Sequence, residues 1–227
     1  MIINIYKEKN WTSFDVVAKV RSIFKIKKVG HAGTLDPLAE GVLIVLTGPD
    51  TKKQNEFMLK EKEYVAMIGF GIQSPTYDME GPVSIKDISF SVEELEICLQ
   101  KHIGKYIGTF EQTVPPYSAV KVQGQRLYNK ARKGDVQRET LPKKKITIHS
   151  IENISFELET LNIEEKDVTI PVMSCTITCS SGTYIRSLAH DLGEDIGVGG
   201  VLVKLVRTRI GEYTSEGSIK VGELETP

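Results

Sequence analysis

An α+β fold built on a large mixed or antiparallel β-sheet is predicted by three features of the 227-residue sequence. Segments with strand patterning outnumber helical ones, and many follow one another directly, which disfavours a doubly wound parallel sheet. Helical periodicity is confined to three segments. No Pro/Gly/Ser-rich linker divides the chain, so one domain spanning residues 1–227 is expected.

In chain order, residues 2 to 6 read as a strand. TSFDVVAKVRSIFK, residues 12 to 25, reads as a helix with Thr12 or Ser13 as N-cap and Asp15 in its first turn, where a negative charge complements the exposed N–H groups. Strands are expected at 42 to 47 and 62 to 71. SVEELEICLQKHIG, residues 91 to 104, opens on a capping box of Ser91 and Glu94. It then carries Leu95, Cys98, Leu99 and His102 at helical spacing and stops at Gly104. His102 reads as part of a helix face rather than a ligand. Strands follow at 105 to 111, 117 to 122, 143 to 159 and 168 to 179, then a helix from about 183 to 195 and a strand at 200 to 210.

Hydrophobic residues make up 40% and charged residues 26%, with 19 Gly and 9 Pro, which excludes disordered and collagenous classes. The longest strongly apolar run, residues 42 to 46, is far below the ~20 residues of a bilayer span, and MIINIYKEKN has no signal-peptide pattern. A soluble cytoplasmic protein without a membrane partner is expected. Cys98, Cys175 and Cys179 cannot all pair within the chain, so reduced thiols are expected. CTITC puts Cys175 and Cys179 on one strand face, and buried small hydrophobes are favoured there over a metal site. There is no P-loop, and GFGIQS (69 to 74) lacks the third glycine of a dinucleotide motif, so no cofactor is indicated. No GxSxG elbow points to serine hydrolysis.

The net charge of -1 conceals segregation. Residues 121 to 145 hold nine bases, among them Lys121, Arg126, Lys130, Arg132 and Lys133, against Asp135 and Glu139, a balance of +7. Residues 19 to 28 add five bases and no acid, while acids collect at 78 to 96 and 152 to 167. Separated blocks of this kind can build one basic face on a neutral protein, the footprint of nucleic-acid binding, although solvated surface charge explains them as well.

Two motifs stand out. GHAGTLDPLAEG, residues 30 to 41, places turn residues and one acid between a basic helix and an apolar strand. Pro37 pushes Asp36 toward extended backbone and so aims its carboxylate; the alternative is that Asp36 caps a short helix with Pro37 at its first position. CSSGTYIRSLAHDLGEDIG, residues 179 to 197, starts in a strand and opens a helix with the stripe Ile185, Leu188, Ala189 and Leu192. Arg186 lies off that stripe, free to grip a carboxylate or to sit on the surface.

These stretches, together with Tyr64 in KEKEYVA and VPPYSAVKVQGQRLYNKARKG (114 to 134), closely resemble the TruB family of tRNA pseudouridine synthases. The resemblance implies the pseudouridine-synthase fold, a central mixed sheet flanked by helices and RNA-binding loops. It implies an isomerase that converts uridine 55 in the T loop of tRNA to pseudouridine. The glycosidic bond is broken, the base is turned while bound and C5 is joined to the sugar, so no cofactor is required. By resemblance Asp36 is the catalytic carboxylate, Arg186 its partner, and Tyr64 the residue that stacks on the uracil and assists removal of the C5 proton. A neighbouring guanidinium favours the ionised carboxylate and holds its orientation.

The target base must be flipped out of its stack. His31 is implied to fill the vacated space, with Tyr184 and Leu205 lining the uracil pocket. The +7 segment matches the family's thumb loop, whose Lys121, Arg126, Lys130, Arg132 and Lys133 would lie against T-arm phosphates. The implied partner is tRNA, with no obligatory protein partner and a monomeric state. The sequence departs from the family in two places. It stops at Pro227, where bacterial members commonly carry a further PUA-like RNA-binding domain, and GIQSPTYDMEG (71 to 81) replaces a threonine- and aspartate-rich run, so contacts of that loop are not carried over. A non-catalytic tRNA-folding module and a uracil-releasing hydrolase are the competing readings, and guide-RNA-dependent synthases a variant.

Overall fold

The computed structural model describes residues 1–86, 89, 91–134 and 137–225. Its strands are β1 (Ile2–Lys7), β2 (Val29–Ala32), β3 (Glu40–Thr47), β4 (Lys62–Phe70), β5 (Ile72–Gln73), β6 (Ser84–Ile85), β7 (Gly108–Thr113), β8 (Lys121–Val122), β9 (Gln125–Arg126), β10 (Lys143–Ile163), β11 (Lys166–Cys179), β12 (Gly200–Ile210), β13 (Tyr213–Thr214) and β14 (Ile219–Lys220). Its helices are α1 (Ser13–Phe24), α2 (Gln54–Leu59), α3 (Val92–His102), α4 (Leu127–Ala131) and α5 (Ile185–Asp195). The main sheet runs β14-β1-β3-β12-β4-β11-β10-β7, with β2 on β3 and β13 on β12. It is mixed: β3 pairs antiparallel with β1 and β2 but parallel with β12. The fold is therefore α+β, as the segment pattern predicts. Among the described residues no helix is long and apolar enough to cross a membrane.

The chain divides into two compact units, Met1–Val65 with Ile177–Ser181 and Lys204–Pro227, and Ala66–Thr176 with Gly182–Val203. In the first, β3 is buried on both faces. Leu43 and Val45 pack with Val16 and Val20 of α1, while Val42, Ile44 and Leu46 pack with Phe57 of α2 and Ile210. Burial on both sides explains why residues 42 to 46 form a continuous apolar run instead of alternating. Of the two expected N-caps of α1 the structure uses Thr12, which forms a capping box with Asp15.

In the second unit β7 and β10 pair antiparallel, from Lys143 with Thr113 to Ile148 with Gly108. β10 turns into β11 through Glu164 and Glu165, both at positive φ. α3 buries Leu95 and Leu99 behind the Ser91–Glu94 capping box, and α5 buries the stripe of Ile185, Leu188, Ala189 and Leu192. Cys175 and Cys179 are buried, and burial pushes the Cys175 thiol pKa up to about 12.

Several boundaries differ from expectation. The segment from 105 begins as a 3₁₀ turn, Ile103–Tyr106, before β7. The strand expected at 117 to 122 shrinks to Lys121–Val122, which pairs only with Gln125–Arg126 in a two-stranded hairpin. Asp36 starts no helix: Ala39 N–H donates to Asp36 O (3.1 Å), closing a turn over Pro37 and Leu38. α2 and β2, at 6 and 4 residues, are too short to show periodicity. Asp135 and Val136 of the expected thumb lie outside the described residues.

Candidate active site

In the first unit the loop bearing Asp36 is tied on both sides of that residue. Ser13, buried at the start of α1, donates its hydroxyl to Leu35 O (3.1 Å) and accepts Leu35 N–H (2.9 Å). The fully buried Lys7 donates to Trp11 O (2.6 Å) and Pro37 O (3.4 Å), and Asn10 N–H also reaches Pro37 O (2.9 Å). Leu35, Leu38 and Ala39 are buried while Asp36 is half-buried. The carboxylate is thus carried on backbone that cannot drift.

Arg207 of β12 closes the far side. It is 1% exposed, and its Nε donates to Val42 O (2.8 Å) while a terminal nitrogen donates to Gly33 O (3.0 Å), so one guanidinium bridges the two ends of the loop. Its backbone pairs with Gly41, whose φ is +103°; a Cβ there would lie 2.2 Å from Arg207 O, so only glycine fits. Arg207 also lies close enough to Tyr64 for its charge to act on the phenol. Burial raises the Tyr64 pKa, Arg207 opposes this and Asp36 adds to it, so Tyr64 stays a neutral phenol across the working range. His31 lies on β2, and its Nδ1 is buried without a hydrogen-bond partner among the described residues. Burial first, and Arg207 second, hold its pKa below the usual value, which favours the neutral imidazole. Leu205, 8% exposed, is on β12.

In the second unit Tyr184 is the N-cap of α5 and Arg186 its second residue. Arg186 is only 6% exposed, so it is no surface arginine. It donates to Tyr117 O (3.0 Å) and Thr76 O (3.3 Å) and faces Asp78 Oδ2 at 3.4 Å. Asp78, 1% exposed, also accepts Glu80 N–H (3.0 Å). Its loop is knotted by Thr76, whose hydroxyl meets Ser74 Oγ, Asp78 O and Gly81 N–H.

The basic segment is built differently. β8 and β9 form a small hairpin over Gln123 and Gly124, followed by α4. Leu127, Val114 and Leu141 form a small core against which Val120, Val122 and Tyr184 pack. Arg126 and Arg132 lie over the Tyr128 ring at 5.9 and 5.6 Å, beside Lys121 and Lys133, around an open depression of about 670 Å³. Arg138 is drawn away to α5, pairing with Asp191 (2.6 Å) and contacting His190, whose ring stacks on Tyr77 at 3.8 Å.

Residues 21–185 match the model of the TruB family pseudouridylate synthase N-terminal domain, and residues 186–226 that of the tRNA pseudouridylate synthase B C-terminal domain. The chain is 41% identical over 226 residues to the tRNA pseudouridine synthase B of Clostridium tetani, covering 98% of this chain and 72% of that protein. To the Clostridium perfringens protein of the same name it is 43% identical over 224 residues, covering 98% and 71%. The chain belongs to the TruB family of pseudouridylate synthases. Among solved structures it resembles a chain of a Cbf5-Nop10-Gar1 complex, with a TM-score of 0.64 and 26% identity over 98% of this chain, which spans about half (53%) of that one.

Against this family frame, the structure places Asp36, His31, Tyr64 and Leu205 in the first unit, and Arg186, Tyr184 and the five thumb bases in the second. Sequence reasoning missed Arg207, Lys7 and Asp78. Arg207 and Lys7 sit at buried positions of alternating strands, two residues on from the buried Leu205 and Ile5, and a charge in phase with a strand's buried face is the signal that could have found them. Asp78 lies in GIQSPTYDMEG, the loop set aside as divergent, yet that loop supplies the carboxylate facing Arg186.

Proposed function

We propose that this chain isomerises uridine to pseudouridine in tRNA, at position 55 of the T loop, with Asp36 as the catalytic carboxylate. The observation that carries the reading is the bracing of the Asp36 loop by Ser13, Lys7 and Arg207, with the Tyr64 hydroxyl beside Arg207. A carboxylate that acts on one atom of a sugar or base must hold its position to a fraction of an ångström. Bonds from three buried side chains onto Gly33, Leu35 and Pro37, around one acid, are far more than a surface turn requires.

In this reading tRNA binds through phosphates against the thumb bases, and the target uridine is flipped out. The half-buried neutral His31 fills the vacated stack, since a flat uncharged ring stacks without carrying a charge into the helix. Tyr64 stacks on the uracil with its phenol protonated, and Tyr184 and Leu205 line the base. The carboxylate of Asp36 either adds to the sugar or base, its new bond breaking again before product forms, or removes a ribose proton that is later returned. The N1–C1′ bond breaks, the uracil rotates, C5 bonds to C1′, and C5 loses a proton while N1 takes one up, so the product has the composition of the substrate. The resemblance makes Arg186 the counter-ion of Asp36, and that role is part of the proposal. The protein works as a soluble monomer without a cofactor.

Incubating the purified protein and its Asp36→Asn variant with an unmodified T-arm transcript, and reading pseudouridine nucleotide by nucleotide, tests this. Pseudouridine at position 55 with wild type alone supports the proposal. Conversion by Asp36→Asn removes Asp36 from the chemistry. RNA folding without conversion by either protein establishes the non-catalytic module, and free uracil establishes the hydrolase.

A further inference from the structure

Tyr184, the N-cap residue of α5, gives the helix start no side-chain capping hydrogen bond. Yet this backbone carries Tyr184 and, two residues on, Arg186. The missing restraint comes from β7. Gln112, 2% exposed, turns its carboxamide onto the backbone of Tyr184, with Nε2 donating to Tyr184 O (3.0 Å) and Oε1 accepting Tyr184 N–H (2.8 Å). The amide thus copies the paired bonds that a neighbouring strand would make, at a residue that belongs to no strand. The next residue, Thr113, accepts the Ser187 hydroxyl at 3.0 Å, a second tie between the same strand end and the first turn of α5.

A buried primary amide with both ends used is specific in a way that a buried apolar residue is not. Glutamate would present an oxygen to Tyr184 O, methionine would leave Tyr184 N–H without its partner, and asparagine falls one methylene short. The backbone requirement is equally narrow. Tyr184 holds φ -101° and ψ 105°, and Leu188 N–H donates to Tyr184 O (3.2 Å), so Tyr184 O accepts the first helical bond and the Gln112 bond together.

We infer that Gln112 is a positioning residue for the reaction: its carboxamide sets where α5 begins, and through that backbone sets Tyr184 against the uracil and Arg186 in its place. The inference rests on the proposed function. Nothing in composition marks Gln112, since a lone glutamine in a strand is ordinarily a solvated one.

The test compares wild type, Asp36→Asn, Gln112→Met and Gln112→Glu, each checked for folding by circular dichroism, in single-turnover assays on the T-arm transcript at saturating enzyme. Gln112→Met, near-isosteric but unable to hydrogen-bond, is expected to lower the rate of the bound complex by about 10- to 100-fold with RNA affinity little changed, because misplacement acts on chemistry more than on phosphate contacts. Gln112→Glu, which keeps the acceptor for Tyr184 N–H, is expected to fall between Met and wild type. A Gln112→Met rate within about twofold of wild type overturns the inference while leaving the enzyme reading intact, as does a loss confined to RNA affinity. If Gln112→Met does not fold, equal rates for Gln112→Glu and wild type have the same force. Absence of pseudouridine with wild type overturns the enzyme reading instead, and the inference with it.

Discussion

The loop of residues 33 to 39 and the basic segment of residues 121 to 134 both lie largely outside the main sheet, but they are secured in opposite ways. The first is held by buried polar side chains reaching its backbone from elsewhere in the unit: Ser13 at Leu35, Lys7 at Pro37, Arg207 at Gly33. The second rests on a few apolar anchors, Leu127, Val114 and Leu141, and presents its charges outward. The contrast separates two tasks. A reacting carboxylate needs fixed geometry, which directional bonds supply; attraction to a polyanion needs charge density, which survives movement of any one side chain.

The sharpest way to break the comparison is at its centre. Asp36→Asn keeps the loop's backbone bonds and is expected to abolish conversion, a loss on the order of 10²–10⁴-fold or more in turnover with the melting temperature little changed. Retained turnover on the T-arm transcript would reduce the loop to scaffolding. Next comes the pair of Arg186 and Asp78. Arg186→Met, on sequence alone, is expected to leave folding intact; burial beside Asp78 changes that, because removing one partner leaves a buried carboxylate less compensated, at a cost of about 3–5 kcal/mol. Denaturant titration of Arg186→Met and Asp78→Asn measures it, and a double variant less unstable than the sum of the two would show their coupling.

Ser13→Ala removes both side-chain bonds to Leu35 and leaves buried backbone groups unsatisfied, for about 1–3 kcal/mol. If rigidity of this loop matters, turnover falls with stability, whereas a stability loss at constant turnover per folded molecule argues against it. In the basic segment, Arg132→Gln with Lys133→Gln should leave the bound complex reacting at the wild-type rate while reducing the slope of log affinity against log salt by roughly 0.7–0.9 per charge removed. An unchanged slope would take these bases out of the RNA interface.

The smallest effect concerns the fastening of Arg138 on α5. Burial, then the Arg138 charge, holds the His190 pKa at about 4, below its unfolded value near 6.5. Between those values the unfolded chain takes up a proton that the folded one refuses, so stability is complete above about pH 6.5 and declines as pH falls toward 4. His190→Gln should flatten that decline in melting temperature between pH 7 and pH 5.

Much of the fold was legible because its signals are local. The N-cap of α1 at Thr12 or Ser13, the capping box at Ser91, the stripe of α5 and the strand at 200 to 210 each depend on neighbours within a few positions. Residues 42 to 46 were legible as a strand but not as the one buried on both faces, since that depends on α1 and Phe57 arriving from separate parts of the chain. In the site, Asp36 was visible as an acid on a proline-shaped turn and Arg186 as a residue off its helix stripe, while their roles came from resemblance.

What the chain's own order of residues determined is therefore periodicity, capping, turn chemistry and the segregation of charge, all properties of short windows. What only the tertiary structure decided is which polar side chains are buried and what they hold: Arg207 across the Asp36 loop, Asp78 facing Arg186, Gln112 on the Tyr184 backbone. The physical reason is that a hydrogen bond across 72 or 174 residues of sequence leaves no local trace. Its cost and its benefit appear only when folding removes water from both partners at once.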